Sequence, residues 1–175
     1  EHNALLQTYL EEVQQLDRRM LDNSRVVLTG AFCEQPPLGL IRTLERAGCY
    51  IVDDDFVLIS RWYLQPVPLN GDPIASLVKG YLALSTYTAA KYDHENTKGQ
   101  FLIDNVKHNN ADGVIFCAPS FCDPALLDQP MLSAALDRAK IPHTHFKYSE
   151  NTGQFQVIRE QAGTFADSIK LWGEK

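Results

Sequence analysis

The chain predicts an α/β fold built on an open parallel sheet, and three observations carry that reading. Short apolar runs alternate along the chain with segments of helical periodicity. Each apolar run closes on turn-forming or acidic residues rather than on a hairpin signal. The runs are continuous rather than alternating, as expected of strands buried on both faces.

Taken in order, Leu5, Leu6, Tyr9, Leu10, Val13, Leu16 and Met20 recur at three- and four-residue steps, which predicts an amphipathic helix over 3–21. Arg25-Val26-Val27-Leu28-Thr29, closed by Gly30, reads as the first strand. Leu38 to Ala47 is helical, with Pro37 suited to a first turn and Gly48 to the carboxyl cap. Tyr50-Ile51-Val52 is the second strand and runs into Asp53-Asp54-Asp55. Helices are expected over Ile74–Ala83 and Gln100–Asn109, with the polar stretch 87–99 between them open to either a loop or more helix. Gly113-Val114-Ile115-Phe116, ending at Cys117, is the third strand. A helix over Pro130–Lys140, a strand over Pro142–Lys147 and a helix over Gly153–Trp172 complete the chain. Strands alternating with helices imply right-handed crossovers, and the simplest strand order is 2-1-3-4, with helices on both faces. That is a Rossmann-like or flavodoxin-like sheet whose topological switch point lies between strands one and three.

The bulk properties narrow the function classes. The 175 residues suit one domain, read here as 1–175, and a composition 45% hydrophobic and 22% charged carries no disorder signature. A net charge of −6 without a basic run argues against a nucleic-acid partner. No apolar stretch approaches the roughly 18 residues a membrane helix needs, and no signal peptide opens the sequence. Four cysteines are too few for a disulfide scaffold, and the composition suits the cytoplasm. The chain starts at Glu1 without an initiator Met, and it reads as a piece of a longer polypeptide.

Two loops leave the sheet at the switch point: Gly30–Pro37 and Cys117–Pro124. Topology therefore brings Cys33, Cys117 and Cys122 to one crevice, while Cys49 heads the second strand at the opposite end as a core thiol. Such thiols suit soft-metal ligation, plain packing or nucleophilic catalysis, and spacing alone leaves all three open. Cys122-Asp123-Pro124 fits a helix start, where the dipole stabilises a thiolate. The prolines on either side of Ser120-Phe121-Cys122 predict a rigid loop that aims the Cys122 thiol into an open pocket. His143 and His145 share one face of the fourth strand, as paired ligands or as solvated or packed strand-end residues. The 53–55 triplet reads as a cation site or, more simply, a solvated cap. Residues 150–154, with Arg159 one turn further, could hold an anion at a helix amino end.

The segment Gly113–Pro124, Gly-Val-Ile-Phe-Cys-Ala-Pro-Ser-Phe-Cys-Asp-Pro, followed by Phe146–Asp167 with Gly153-Gln154 and Arg159, resembles the carboxyl-terminal part of the benzoyl-CoA reductase / 2-hydroxyacyl-CoA dehydratase family. Within it the likeness is closest to the non-ATPase B/C-type subunits of ATP-dependent reductases, the C type in particular. The resemblance implies that 1–175 is the carboxyl-terminal portion of a subunit about twice as long, with the amino-terminal half missing. It implies a [4Fe-4S] cluster with Cys122 as one ligand, whereas no ligand role carries over to Cys33 or Cys117, which stay only possible ligands. Gln154 and Arg159 fall in the family's Gly-Gln…Arg motif, on the substrate side or at an interface. Phe32 and Phe121, with Phe116, would line a dry crevice for an aromatic CoA thioester.

The activity implied is that of a cytoplasmic oxidoreductase acting on CH-CH groups in anaerobic aromatic degradation. Ferredoxin supplies electrons through ATP-hydrolysing electron-activating subunits, and the ring of benzoyl-CoA becomes a cyclohexadienoyl-CoA. The fragment alone is expected to be inactive. Two alternatives stand beside this: a 2-hydroxyacyl-CoA dehydratase subunit working through a ketyl radical, and a non-enzymatic flavodoxin-like domain that binds a ligand.

Overall fold

Strands and helices alternate through most of the chain: α1 (His2–Gln14), β1 (Ser24–Thr29), α2 (Leu38–Arg46), β2 (Cys49–Asp54), α3 (Pro73–Leu84), α4 (Thr97–His108), β3 (Gly113–Pro119), α5 (Asp123–Arg138), β4 (His143–Tyr148) and α6 (Phe155–Trp172). The computed structural model describes residues 1–30, 36–56, 66–84, 97–149 and 155–172. The four strands form one all-parallel sheet in the order β2-β1-β3-β4, as the alternation predicts.

The apolar runs are continuous because successive side chains feed two cores. Val26, Leu28, Ile115, Cys117, Phe146 and Tyr148 face one side, where α2 and α6 add Leu40, Leu44, Ile158, Ala162, Phe165 and Ala166. Val27, Val114 and Phe116 face the other, against Leu102 and Val106 of α4 and Leu132 and Leu136 of α5. All seven residues of β3 are buried. Each fully buried Leu, Ile or Phe is worth about 1.5–3 kcal/mol of removal from water, which makes β3 the anchor of both layers.

At the amino end of the sheet, polar groups close the joints. The backbone N–H of Arg25 donates to Asp112 at 2.7 Å. The Arg25 guanidinium donates to the Asn109 and Asn110 carbonyls at 2.9 and 3.0 Å, capping the carboxyl end of α4. Ser24 Oγ donates to the Ala166 carbonyl of α6 at 2.9 Å.

Two element boundaries differ from expectation by a full helical turn or more. The first helix stops at Gln14 rather than 21, and it buries none of its residues. Leu5, Tyr9 and Leu10 stand 70%, 63% and 53% exposed, so local terms such as the Gln7–Glu11 hydrogen bond, rather than packing, support the helix. The helix expected from Pro130 instead begins at Asp123, with Pro124 in its first turn and Pro130 inside it. Pro130 faces solvent, and the buried stripe of Ala125, Leu132, Ala135 and Leu136 on both sides of it outweighs the lost hydrogen bond.

Gly113 opens β3 where a methyl group has no room: a Cβ there would stand 2.8 Å from the Pro142 carbonyl and 2.9 Å from the Phe165 ring. Gly113→Ala is therefore expected to cost about 1–3 kcal/mol through overpacking, seen as a lower denaturation midpoint with an unchanged m-value.

Candidate functional site

The carboxyl ends of β1 and β3 form the switch point, and their geometry rests on short polar contacts. Thr29 pairs in register with Phe116, and Gly30 follows at φ +104°, directly over the Cys117 backbone. A Cβ on Gly30 would lie 3.6 Å from the Cys117 carbonyl, so the positive φ rather than space reserves this position for glycine. The Asp55 carboxylate accepts from Thr29 Oγ1 at 2.7 Å and from the Gly30 N–H at 3.2 Å. One carboxylate thus holds the root of the first loop.

On the other side of the switch point, β3 runs to Pro119, and Ser120 N–H donates to the Tyr148 carbonyl of β4 at 2.6 Å. Cys122 N–H donates back to the Pro119 carbonyl at 3.1 Å, closing a tight turn. Phe121 at its tip has φ 71° and is 94% exposed. A bulky residue in the left-handed region is an uncommon, strained choice. Cys122 then stands at the N-cap of α5, and its carbonyl accepts from Leu126 N–H at 3.1 Å. The positive end of the α5 dipole therefore lies at this cysteine, the second of the two helix starts open in the sequence.

The thiols themselves part company. Cys117 points into the α2/α6 core, fully buried beside Val26, Leu28 and Ile115. Burial, reinforced by the charges of Asp55 and Asp54, pushes its pKa far above the ordinary thiol value. Cys122 lies on the opposite side of the sheet, packed with Ala118, Ala125 and Leu126. Cys117 belongs to β3 and Cys122 to the turn that follows it, and the side-chain alternation of β3 sends Cys117 away from Cys122. The open pocket expected around Cys122 is not found among the described residues: the residue is 3% exposed at the rim of the sheet. Cys49 is a core thiol at the head of β2, pushed up to about 11 by burial, with Lys170 pulling the other way.

Of the remaining candidates, Phe116 is a core residue 2% exposed, edge-on to His143 at 5.9 Å, and does not line a crevice with Phe121. Arg159 is exposed on α6. Phe32, Cys33, Gln154 and the 150–154 turn lie outside the described residues. His143 is half-buried with Nδ1 at 3.2 Å from the Ile141 carbonyl, while His145 is exposed. A groove of about 400 Å³ between the start of β4 and α6 is lined by His143, Thr144, Glu160 and Phe165, away from the cysteine end.

The acidic triplet is half-buried, and each carboxylate accepts a hydrogen bond from the protein. Asp53 accepts from Asn109 at 2.8 Å, Asp54 accepts from Phe56 N–H at 2.9 Å, and Asp55 holds the β1 loop. Sequence reading missed this, and it missed Lys98 and Asp128, which pair at 2.8 Å between α4 and α5. The signal for the second was present: Lys98, Leu102 and Val106 step by four, and Ala125, Asp128 and Leu132 by three and four.

With this geometry in place, comparison with known proteins is decisive. The family model of the 2-hydroxyglutaryl-CoA dehydratase D-component matches residues 1–169. The chain belongs to this family. Among relatives of this D-component family, the chain is 53% identical, over 98% of its length, to the C subunit of benzoyl-CoA reductase from Thauera aromatica. It is 26% identical over 97% of its length to the (R)-phenyllactyl-CoA dehydratase beta subunit of Clostridium sporogenes. It is also 25% identical over 92% to the (R)-2-hydroxyglutaryl-CoA dehydratase beta subunit of Acidaminococcus fermentans. The chain spans 45%, 44% and 45% of the lengths of these D-component relatives. No helix among its described residues is long and apolar enough to cross a membrane.

Asp54 offers a test of the electrostatics at this end. Burial raises its pKa above 3.8, with the Phe56 N–H opposing and Asp53 and Asp55 reinforcing the shift. A carboxyl whose pKa is raised on folding penalises the folded state when ionised, and that penalty fades as pH falls through the folded pKa toward 3.8. Asp54→Asn keeps the acceptor for Phe56. It is expected to raise the melting temperature at pH 7 by about 1–3 °C, with the gain disappearing in melts near pH 4.

Proposed function

We propose that this chain forms part of a subunit of a benzoyl-CoA reductase, contributing Cys122 as one thiolate ligand of a [4Fe-4S] cluster. The observation that carries the reading is the 53% identity over 98% of the chain to the C subunit of such a reductase, roughly twice the identity to either dehydratase relative. The position of Cys122 supports it. A thiolate at a helix amino end gains from the dipole, and an anionic cluster bound there gains in the same way.

The donor set fits a cluster only in part. Among the described residues no group of three or more His, Cys, Asp or Glu side chains comes together as a metal site. Cys122 therefore fits as a single ligand, with the other thiolates supplied by Cys33 or by further parts of a longer subunit. Cys117 points into the α2/α6 core with a strongly raised pKa, which suits packing better than ligation. The cluster, when bound, supplies one-electron transfer at low potential. The chain's own residues do the rest. The α5 amino end offsets negative charge, Ala118 and Ala125 keep the thiol's surroundings dry and small, and Asp55 holds Thr29 and Gly30 at the end of β1. Phe121, strained and exposed next to Cys122, is suited to close over an aromatic thioester once the neighbouring surface is complete.

In this reading the working enzyme is a cytoplasmic oxidoreductase that reduces the aromatic ring of a benzoyl thioester. It draws electrons from ferredoxin through ATP-hydrolysing partner subunits, and the 175 residues alone lack activity. The dehydratase reading is the second one, favoured by the family description and by the two dehydratase beta subunits among the relatives. Assay of the assembled enzyme with benzoyl-CoA and with a 2-hydroxyacyl-CoA separates the two.

Anaerobic reconstitution of the full-length protein with iron and sulfide is expected to give a broad absorbance near about 400 nm. Cys122→Ser is expected to weaken that band and lower the bound iron, with the fold kept as judged by circular dichroism. An identical band and iron content in Cys122→Ser contradicts the assignment.

A further inference from the structure

The α4 and α5 helices pack on the sheet through two matching stripes. On α4 the inward positions are Lys98, Leu102 and Val106, at 8%, 4% and 5% exposure. On α5 they are Ala125, Asp128, Leu132 and Leu136, of which Ala125, Leu132 and Leu136 are fully core. The layers at Leu102/Leu132 and Val106/Leu136 are apolar. One layer closer to the carboxyl ends of the strands, both helices instead present a charge: Lys98 Nζ meets Asp128 Oδ2 at 2.8 Å, with side chains only 9% and 15% exposed. The next layer outward is Ala125 with Cys122 and Ala118, about 4.5 Å further along the α5 axis.

An ion pair taken out of water at a core position carries a desolvation penalty that its own attraction roughly offsets, and well-packed apolar residues commonly do as well or better for stability. What an apolar layer lacks is direction: Leu and Met tolerate sliding, whereas an ammonium–carboxylate pair fixes one register. We propose that Lys98 and Asp128 are a positioning pair that sets the register of the first two turns of α5 against α4, and so the seat of Cys122. The proposal deepens the reading of Cys122 as the ligand-bearing position and rests on it. Its test uses metal-free protein, so that failure of the pair and failure of the iron assignment remain separate results.

The test is alkylation by iodoacetamide, followed site by site through peptide mass, in the full-length wild type, in the double variant Lys98→Met/Asp128→Leu, and in Lys98→Arg, which keeps the charge pair. In the double variant the melting temperature is expected to stay within about 3 °C of wild type or rise. Cys122 is expected to react about tenfold faster as the α5 amino end opens locally, while buried Cys49 and Cys117 keep their slow rates. Lys98→Arg is expected to keep the wild-type Cys122 rate. Unchanged Cys122 reactivity in the double variant overturns the proposal. So does acceleration of Cys49, Cys117 and Cys122 together with a lowered melting temperature, because the pair would then be serving general stability.

Discussion

Strand β3 is buried on both faces from Gly113 to Pro119, and the way it leaves the sheet governs everything built at the switch point. Seven consecutive residues have no solvated side, so the strand cannot slip by one position without exchanging the contents of two cores. Its exit is fixed as firmly. Ser120 N–H is bonded to the Tyr148 carbonyl, and Cys122 N–H turns back to Pro119. The first residue able to begin α5 is therefore Asp123, and Cys122 becomes its cap. A cysteine one residue earlier would stand where Phe121 is, almost wholly in solvent.

The same alternation gives the two β3-end cysteines different chemistry. Cys117 inherits an interior environment, with its thiol held protonated by burial and by nearby carboxylates. Cys122 lies where β3 has ended, beside a helix amino end and two alanines. Around it the polar groups act as supports. Asp55 anchors Thr29 and Gly30 on the β1 side. Lys98 and Asp128 bridge α4 and α5 on the other. Each of these costs something in desolvation, and each sits toward the carboxyl end of the sheet, the end at which open α/β sheets bind ligands.

Much of this was legible in the sequence, for a physical reason. The strand runs Val26–Leu28 and Gly113–Phe116 are doubly buried and so read as unbroken apolar stretches, and 2-1-3-4 is the simplest order under the connection rules. What the sequence hid depends on register between elements distant in the chain. That Cys117 and Cys122 project to opposite sides needs the pleat of β3, not the loop spacing. That Asp55 binds Thr29 needs the β1–β2 register, in which Leu28 faces Asp54. The start of α5 is obscured because Pro130 resembles a helix beginning and masks the stripe that runs through it from Ala125 to Leu136. The helix α1 is shorter than its apolar stripe suggests, because such a stripe extends a helix only where something covers it.

The account stands on iron bonding to the sulfur of Cys122. Crystals of the reconstituted full-length protein, grown without oxygen and measured on both sides of the iron absorption edge, address this directly. The account predicts an anomalous peak within bonding distance of Cys122 Sγ, outside the carboxyl end of β3. An iron site elsewhere, with Cys122 still enclosed by Ala118, Ala125 and Leu126, would contradict it.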